Sequence, residues 1–291
     1  MKNFQYSSPL TLDQALQHMD SYGSKAKALA GGTDILVQLR GNRFDIEMLV
    51  DVKSIPELNE LSYTVSEGLS VGAAVPCIRI YEDSVVQQSY PCLVDAAFLI
   101  GGIQIQSRAT IGGNLCNASP SGDTIPALIA LEAEAVVFSK RGYRSIPVED
   151  FCVGPGQNGL QDGELLVSIK FPPPKLYSGA HFLRFIPRNE MDIAVANVGV
   201  ALTLDSKKQT VESARIALGA VGPTPLLATK ASEFLVGKEI SDDSLYETAE
   251  IAKQIASPIT DMRGTINQRI HLVGVLTRRA LQKAVERAKG V

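Results

Sequence analysis

The chain has 291 residues, 45% of them hydrophobic and 20% charged, a net charge of −3 and a pI near 5.7. That length supports one large or two ordinary domains, and the dispersed charges of both signs argue against a nucleic-acid surface. No apolar run approaches the length of a membrane helix, and MKNFQYSSPL at the start has no apolar signal core.

Taken in chain order, Phe4–Tyr6 reads as a short strand. A helix follows, with Leu12, Ala15, Leu16 and Met19 on one face. Lys27–Ala30 and Met48–Val52 read as strands, Pro56 as a turn or helix start, and Leu69–Ala74 as another strand. Helices are expected over Asp83–Ser89, Leu93–Ile100 and Ile125–Leu131. Ala135–Phe138 and Tyr143–Pro147 read as strands about a turn at Arg141-Gly142, and Leu165–Phe171 as the last strand of the first half. Pro172-Pro173-Pro174 cannot continue a sheet or a helix interior, so a domain boundary is expected near residue 175. Beyond it, Ile193–Leu204 and Arg215–Leu218 read as strands, and Leu226–Val236, Asp243–Ile255 and Thr265–Lys289 as helices. The second half therefore reads as antiparallel strands with helices on one face.

Two stretches share a design. In LAGGTDILVQL, Leu29–Leu39, an apolar entry meets Gly31-Gly32, then the cap-type residues Thr33 and Asp34, then an apolar helical run. In TIGGNLCNASPSGDTIPALIAL, Thr110–Leu131, a β-branched entry meets Gly112-Gly113, then small polar residues, then a helix beginning at Asp123 or Thr124. Glycine pairs let backbone approach a ligand, and unpaired N–H groups at a helix start suit an anion. Neither stretch has the lysine of a GxxxxGK[ST] loop, and neither fits GxGxxG. A diphosphate held here would rest on backbone N–H groups and helix ends. The plain alternative for each stretch is an ordinary turn before a helix.

No nucleophile–base constellation is visible. His18, His181 and His271 are dispersed without metal-ligand spacing. Cys77, Cys92, Cys116 and Cys152 show no C-x-x-C and read as reduced thiols, so a cytoplasmic location is expected.

AGGTD near residue 30, together with TIGGN and CNASPSGDTIPAL near residue 110, resembles the FAD-binding (medium) subunit of molybdenum hydroxylases, the xanthine dehydrogenase and carbon monoxide dehydrogenase group. FLRFIPRNEMDIAVANVGVAL, ARIALGAVGPTPLLA and DMRGTINQRIHLVGVLTRRAL extend the resemblance over essentially the whole chain. It implies an α+β fold: a two-lobed FAD-binding domain of the vanillyl-alcohol-oxidase (PCMH) type over residues 1–175, and a smaller α+β domain of the CO dehydrogenase flavoprotein type over 178–291. By the same resemblance, Ala30, Gly31, Gly32, Thr33, Asp34 and Ile35 belong to a first FAD loop. Thr110, Ile111, Gly112, Gly113 and Asn114 belong to a second. Gly101 lies near the cofactor, Asp123 hydrogen-bonds ribityl or ribose hydroxyls, and Leu166 offers a backbone contact to the flavin. Arg184 stands where many relatives have lysine, and Gln106 and Ser107 where relatives have arginine and asparagine. Ile193 falls near where the family covers one flavin face, although a core strand residue is the simpler reading of it.

The implied function is an oxidoreductase subunit that carries FAD. It would take electrons from the [2Fe–2S] clusters of a small partner subunit, downstream of a large molybdenum-cofactor subunit, and pass them to NAD+ or another acceptor. CNASPSGD and VGPGQ point toward xanthine dehydrogenase-like members. One rival is a self-sufficient FAD oxidoreductase of the same fold, which would need acid–base residues in the second half. The other is a flavin-free scaffold subunit, against which the two intact glycine stretches argue.

Overall fold

The structure, a computed structural model, describes residues 2–290. It opens on a small parallel sheet of β1 (Gln5–Ser7), β2 (Ala26–Leu29) and β3 (Met48–Asp51), in the order β1-β3-β2. Helix α1 (Leu12–Tyr22) crosses between the first two strands; the Thr11 side chain caps it by accepting from the Gln14 N–H, and Leu12, Ala15 and Leu16 are buried. Helix α2 (Ile35–Arg40) follows the first glycine stretch.

The second sheet is antiparallel. It contains β4 (Leu61–Thr64), β5 (Gly68–Gly72), β6 (Glu134–Ser139), β7 (Gly142–Pro147) and, after the short hairpin β8 (Cys152–Gly154) and β9 (Gln157–Asn158), β10 (Leu165–Phe171). The order is β4-β5-β10-β6-β7, so the last strand lies at the centre. Short helices fill the connections: α3 (Cys77–Glu82), α4 (Ser84–Ser89), α5 (Pro91–Ala97), α6 (Ile103–Gln106), α7 (Ile111–Asn117), α8 (Ile125–Ala130) and α9 (Val148–Phe151). One apolar cluster, running from Leu12 through Val50, Ile80, Ile111 and Leu128 to Phe171, joins both sheets.

The second half is a four-stranded antiparallel sheet of β11 (Ser178–Phe185), β12 (Ala196–Leu204), β13 (Val211–Gly219) and β14 (Leu226–Leu227). Helices α10 (Thr229–Leu235), α11 (Asp242–Ala252) and α12 (Ile266–Lys289) pack with it around a second apolar cluster. The other face of this sheet rests on the first half: α8 lies against β12 and β13, and α5 against β11. At that junction Asp95 on α5 accepts from His181 Nδ1 at 2.5 Å and from Arg287 Nη1 and Nη2 at 2.6 and 3.0 Å.

Most expected elements are present, with shifted ends. The strand expected over Ile193–Leu204 begins only at Ala196, and the helix expected over Leu226–Val236 is a two-residue strand followed by α10. Strands β4 and β11 and helix α3 were outside the expected set. Among the described residues, no helix is long and apolar enough to cross a membrane, and no group of three or more His, Cys, Asp or Glu side chains is placed to hold a metal ion.

Candidate functional site

Ala30 ends the strand region of β2 and leads into Gly31 and Gly32. A Cβ on Gly31 would lie 2.0 Å from the Arg108 carbonyl oxygen, so only glycine admits this approach. Gly32 has φ +79°. Thr33 and Asp34 complete the turn, and Ile35 opens α2. Asp34 occupies the N-cap position of α2, but its backbone is already helical and its side chain makes no capping hydrogen bond. The capping role expected of it is therefore not realised, and desolvation by the surrounding protein pushes its carboxyl up from the ordinary range.

The second stretch is helical where a loop was expected. Thr110 is the N-cap of α7, and its Oγ1 accepts from the Gly113 N–H at 2.8 Å. Ile111 is fully buried, and Gly112 and Gly113 form the first turn. A Cβ on Gly112 would stand 2.5 Å from the Ala73 carbonyl oxygen, so this glycine lets α7 lie directly on the strand end after β5. Asn114 points onward: its Oδ1 accepts from Thr124 Oγ1 at 2.7 Å and from the Thr124 N–H at 3.2 Å. That contact uses an N–H at the start of α8, and every residue of α8 is buried. The free helix end expected at Asp123 or Thr124 is thus closed by Asn114 and by burial.

The two stretches meet. Gly31 packs on the Arg108–Ala109 backbone immediately before Thr110, and Gln38 of α2 donates to Asn117 of α7 at 2.9 Å across 79 residues of sequence. Leu166 lies deeper: its side chain is buried in the core, and its strand reaches the site through Ala73, whose N–H donates to the Val167 carbonyl and whose Cα backs Gly112. Gly101, at φ +57°, accepts through its carbonyl from the Met191 N–H at 3.3 Å.

Asp123 turns away from α8 to meet the second half. Arg184 Nη1 on β11 donates to Asp123 Oδ2 at 2.6 Å. The Asp123 and Arg184 side chains are only 14% and 4% exposed, which makes this a desolvated pair. Burial pushes the Asp123 carboxyl up to about 6, although Arg184 and Asn197 favour its charged form. Asp123 Oδ1, Arg184 Nε and Asn197 Oδ1 are all buried without hydrogen-bond partners. Buried polar atoms are nearly always satisfied, so Asp123 Oδ1 and Arg184 Nε, free on two paired side chains, leave room for bonds to a ligand. The free acceptor, Asp123 Oδ1, suits a hydroxyl donor of a ribityl or ribose unit, whereas Asn197 Oδ1 lies against the Gly219 backbone. The residues present fit a flavin nucleotide.

Gln106, Ser107 and Ile193 lie in three different settings. Gln106 is buried and faces inward; it donates to the Phe98 carbonyl at 2.6 Å and accepts from the Tyr81 hydroxyl at 3.0 Å, which is a packing role. Ser107 is exposed. Ile193 is not a core strand residue: it is 46% exposed in the loop before β12, beside Met191 and Asp192. Sequence reasoning also missed Asn197, although it is the one polar side chain in the run Ala194–Leu202.

Known proteins are similar to this chain in sequence and in fold. The family described as "FAD binding domain in molybdopterin dehydrogenase" matches residues 2–174, and the "CO dehydrogenase flavoprotein C-terminal domain" matches residues 181–284. The chain is 32% identical over 267 residues to the xanthine dehydrogenase FAD-binding subunit of Escherichia coli O157:H7, covering 91% of each. It superposes on a chain of carbon monoxide dehydrogenase from Hydrogenophaga pseudoflava with a TM-score of 0.93, at 31% identity and 97% coverage of each chain. For quinoline 2-oxidoreductase from Pseudomonas putida 86 the TM-score is 0.90, at 30% identity and 99% coverage of each. With a two-domain α+β fold and both halves matched, the chain belongs to the family of FAD-binding subunits of the molybdenum hydroxylases, the oxidoreductases of the xanthine and CO dehydrogenase group.

Proposed function

We propose that this chain binds FAD at the junction of its two halves, residues 1–175 forming the FAD-binding domain and 178–291 the domain that closes over it, and that it relays electrons within a larger enzyme. The observation that carries the reading is the pair of unpartnered buried atoms Asp123 Oδ1 and Arg184 Nε, near two glycine stretches in contact. FAD held here would supply two-electron storage, so that electrons arriving singly could leave in pairs to NAD+ or another acceptor. The chain's own residues bind and orient. Backbone at Ala30–Ile35 and Thr110–Asn114 admits the diphosphate region where side chains are absent. Asp123 accepts from sugar hydroxyls, with Arg184 beside it offsetting its charge. Gly101 and the strand backbone at Leu166 border the flavin side, and the Met191–Ile193 loop lies over that corner.

The partners in this reading are a small subunit with [2Fe–2S] clusters and a large molybdenum-cofactor subunit, in a xanthine dehydrogenase-like cytoplasmic assembly. The four free cysteines accord with a reducing compartment. The test is the visible absorption spectrum of the purified chain, with the released cofactor identified by chromatography. The expected result is a flavin spectrum and FAD near one equivalent. A chain that stays colourless after incubation with FAD, alone and with its co-expressed partners, would sink the proposal.

A further inference from the structure

Strand β12 carries one amide in an apolar setting. Asn197 is fully buried, and Gly199 and Ala201, two and four residues on, present small side chains to the same face. A buried amide in such a row costs free energy unless its groups are used. Asn197 is paired in register with Arg184 across β11 and β12. Its Nδ2 approaches the Gly122 carbonyl at 3.5 Å, and its amide faces the Asp123 carboxyl and favours the charged form. Its Oδ1 has no partner and lies against the Gly219 backbone, where a Cβ would come within 2.1 Å of it. The amide is therefore wedged between Gly219 and the Gly122-Asp123 segment. It contacts the very peptide whose conformation aims Asp123.

We infer that Asn197 is a positioning residue of the cofactor site: it holds the Gly122-Asp123 segment so that Asp123 Oδ2 meets Arg184 while Oδ1 is left for a hydroxyl of the bound cofactor. The inference rests on the FAD reading above. Asn197 acts through Asp123 and does not itself reach the ligand. Arg184 on β11 is the charged group that faces Asp123; β12 offers Asn197, and the neighbouring helices offer Asn114 and Thr124, all uncharged. Removing the amide therefore leaves Asp123 less easily ionised as well as less well aimed.

The experiment titrates FAD into the full-length chain between pH 5 and pH 8, as wild type, Asn197→Leu, Asp123→Asn and the double variant. Leucine fills the volume without the amide. Expected for Asn197→Leu are about tenfold weaker binding, the size of one lost hydrogen bond, and a midpoint of pH-dependent retention moved upward. In the Asp123→Asn background the same substitution should change neither quantity, because the group it positions is already gone. Binding within twofold of wild type with an unmoved midpoint overturns the inference, as does a full effect in the Asp123→Asn background. If Asn197→Leu does not fold, Asn197→Ala is read by the same two criteria. A wild type that takes up no FAD overturns the site reading and this inference with it.

Discussion

Asp123 and Arg184, 61 residues apart in sequence, form a 2.6 Å ion pair across the boundary between the two halves, and each keeps one buried polar atom unsatisfied. Breaking one side of such a pair leaves a desolvated charge behind. Arg184→Ala is expected to lower stability by about 3 kcal/mol, the lower end of the range for buried pairs, because the Asp123 carboxyl can protonate in response. Arg184→Lys keeps the charge but not the forked geometry, and a smaller loss is expected. Urea unfolding of the two variants checks the order.

The same carboxyl sets a pH dependence. Its folded value, about 6, lies above the ordinary 3.8, so its contribution favours the fold below about pH 4 and is lost as pH rises through 6. The effect of this one group is roughly 3 kcal/mol at most. The cofactor-free chain should therefore resist unfolding better at pH 5 than at pH 7 by an amount that Asp123→Asn removes. Thermal unfolding at the two pH values, in both proteins, measures it; an equal pH response in Asp123→Asn would reject the assignment.

Asp95 works in the opposite sense. Burial pushes its carboxyl up, but His181 and Arg287 outweigh burial and hold it below the ordinary carboxylate range. Its stabilising contribution is present above about pH 4 and lost as pH falls through that lowered value. Arg287→Ala removes the bidentate partner and a bond to the Ala180 carbonyl. With both side chains partly exposed, the expected loss is about 1–3 kcal/mol. Since Asp95 and Arg287 belong to different halves, calorimetry should show the two halves unfolding less cooperatively in the variant.

Glycine substitutions separate fold from site. At Gly31 and Gly112 an added Cβ meets backbone that has no freedom to move, so Gly31→Ala and Gly112→Ala are each expected to cost about 1–3 kcal/mol. At Gly32 the nearest atoms are the flexible ends of Leu29 and Leu36 but the backbone is left-handed, and at Gly113 the nearest is the Thr110 hydroxyl, which can shift. Gly113→Val should leave a folded, soluble chain that no longer retains flavin, and Gly32→Val should lose flavin with an added stability cost from backbone strain at φ +79°. Circular dichroism with flavin content checks both halves of that statement, and wild-type flavin in both variants would displace the site from these stretches.

Much of the architecture was legible locally. β-branched runs such as Leu165–Phe171 are strands, and Thr265 caps the long last helix as hydroxyl residues do. The three prolines end β10 before β11 begins. The second half was readable as antiparallel strands with helices on one face, but what covers its other face was not, because α5 and α8 come from the first half. Helix α7 is not legible locally, because Gly112-Gly113 has low helix propensity; the Thr110 cap and packing on Ala73 override it.

The sequence by itself determined the family, the two glycine stretches and the list of small polar residues around them, since these depend on residue identity over a few neighbouring positions. Only the tertiary structure decided that Gly31 touches the backbone before Thr110, that Asp123 leaves its own helix to meet Arg184, that Asn197 stands behind both, and that Ile193 lies in an exposed loop. Those relations join segments tens of residues apart. They are fixed by strand order and by which faces must be buried, and no local propensity encodes that closure.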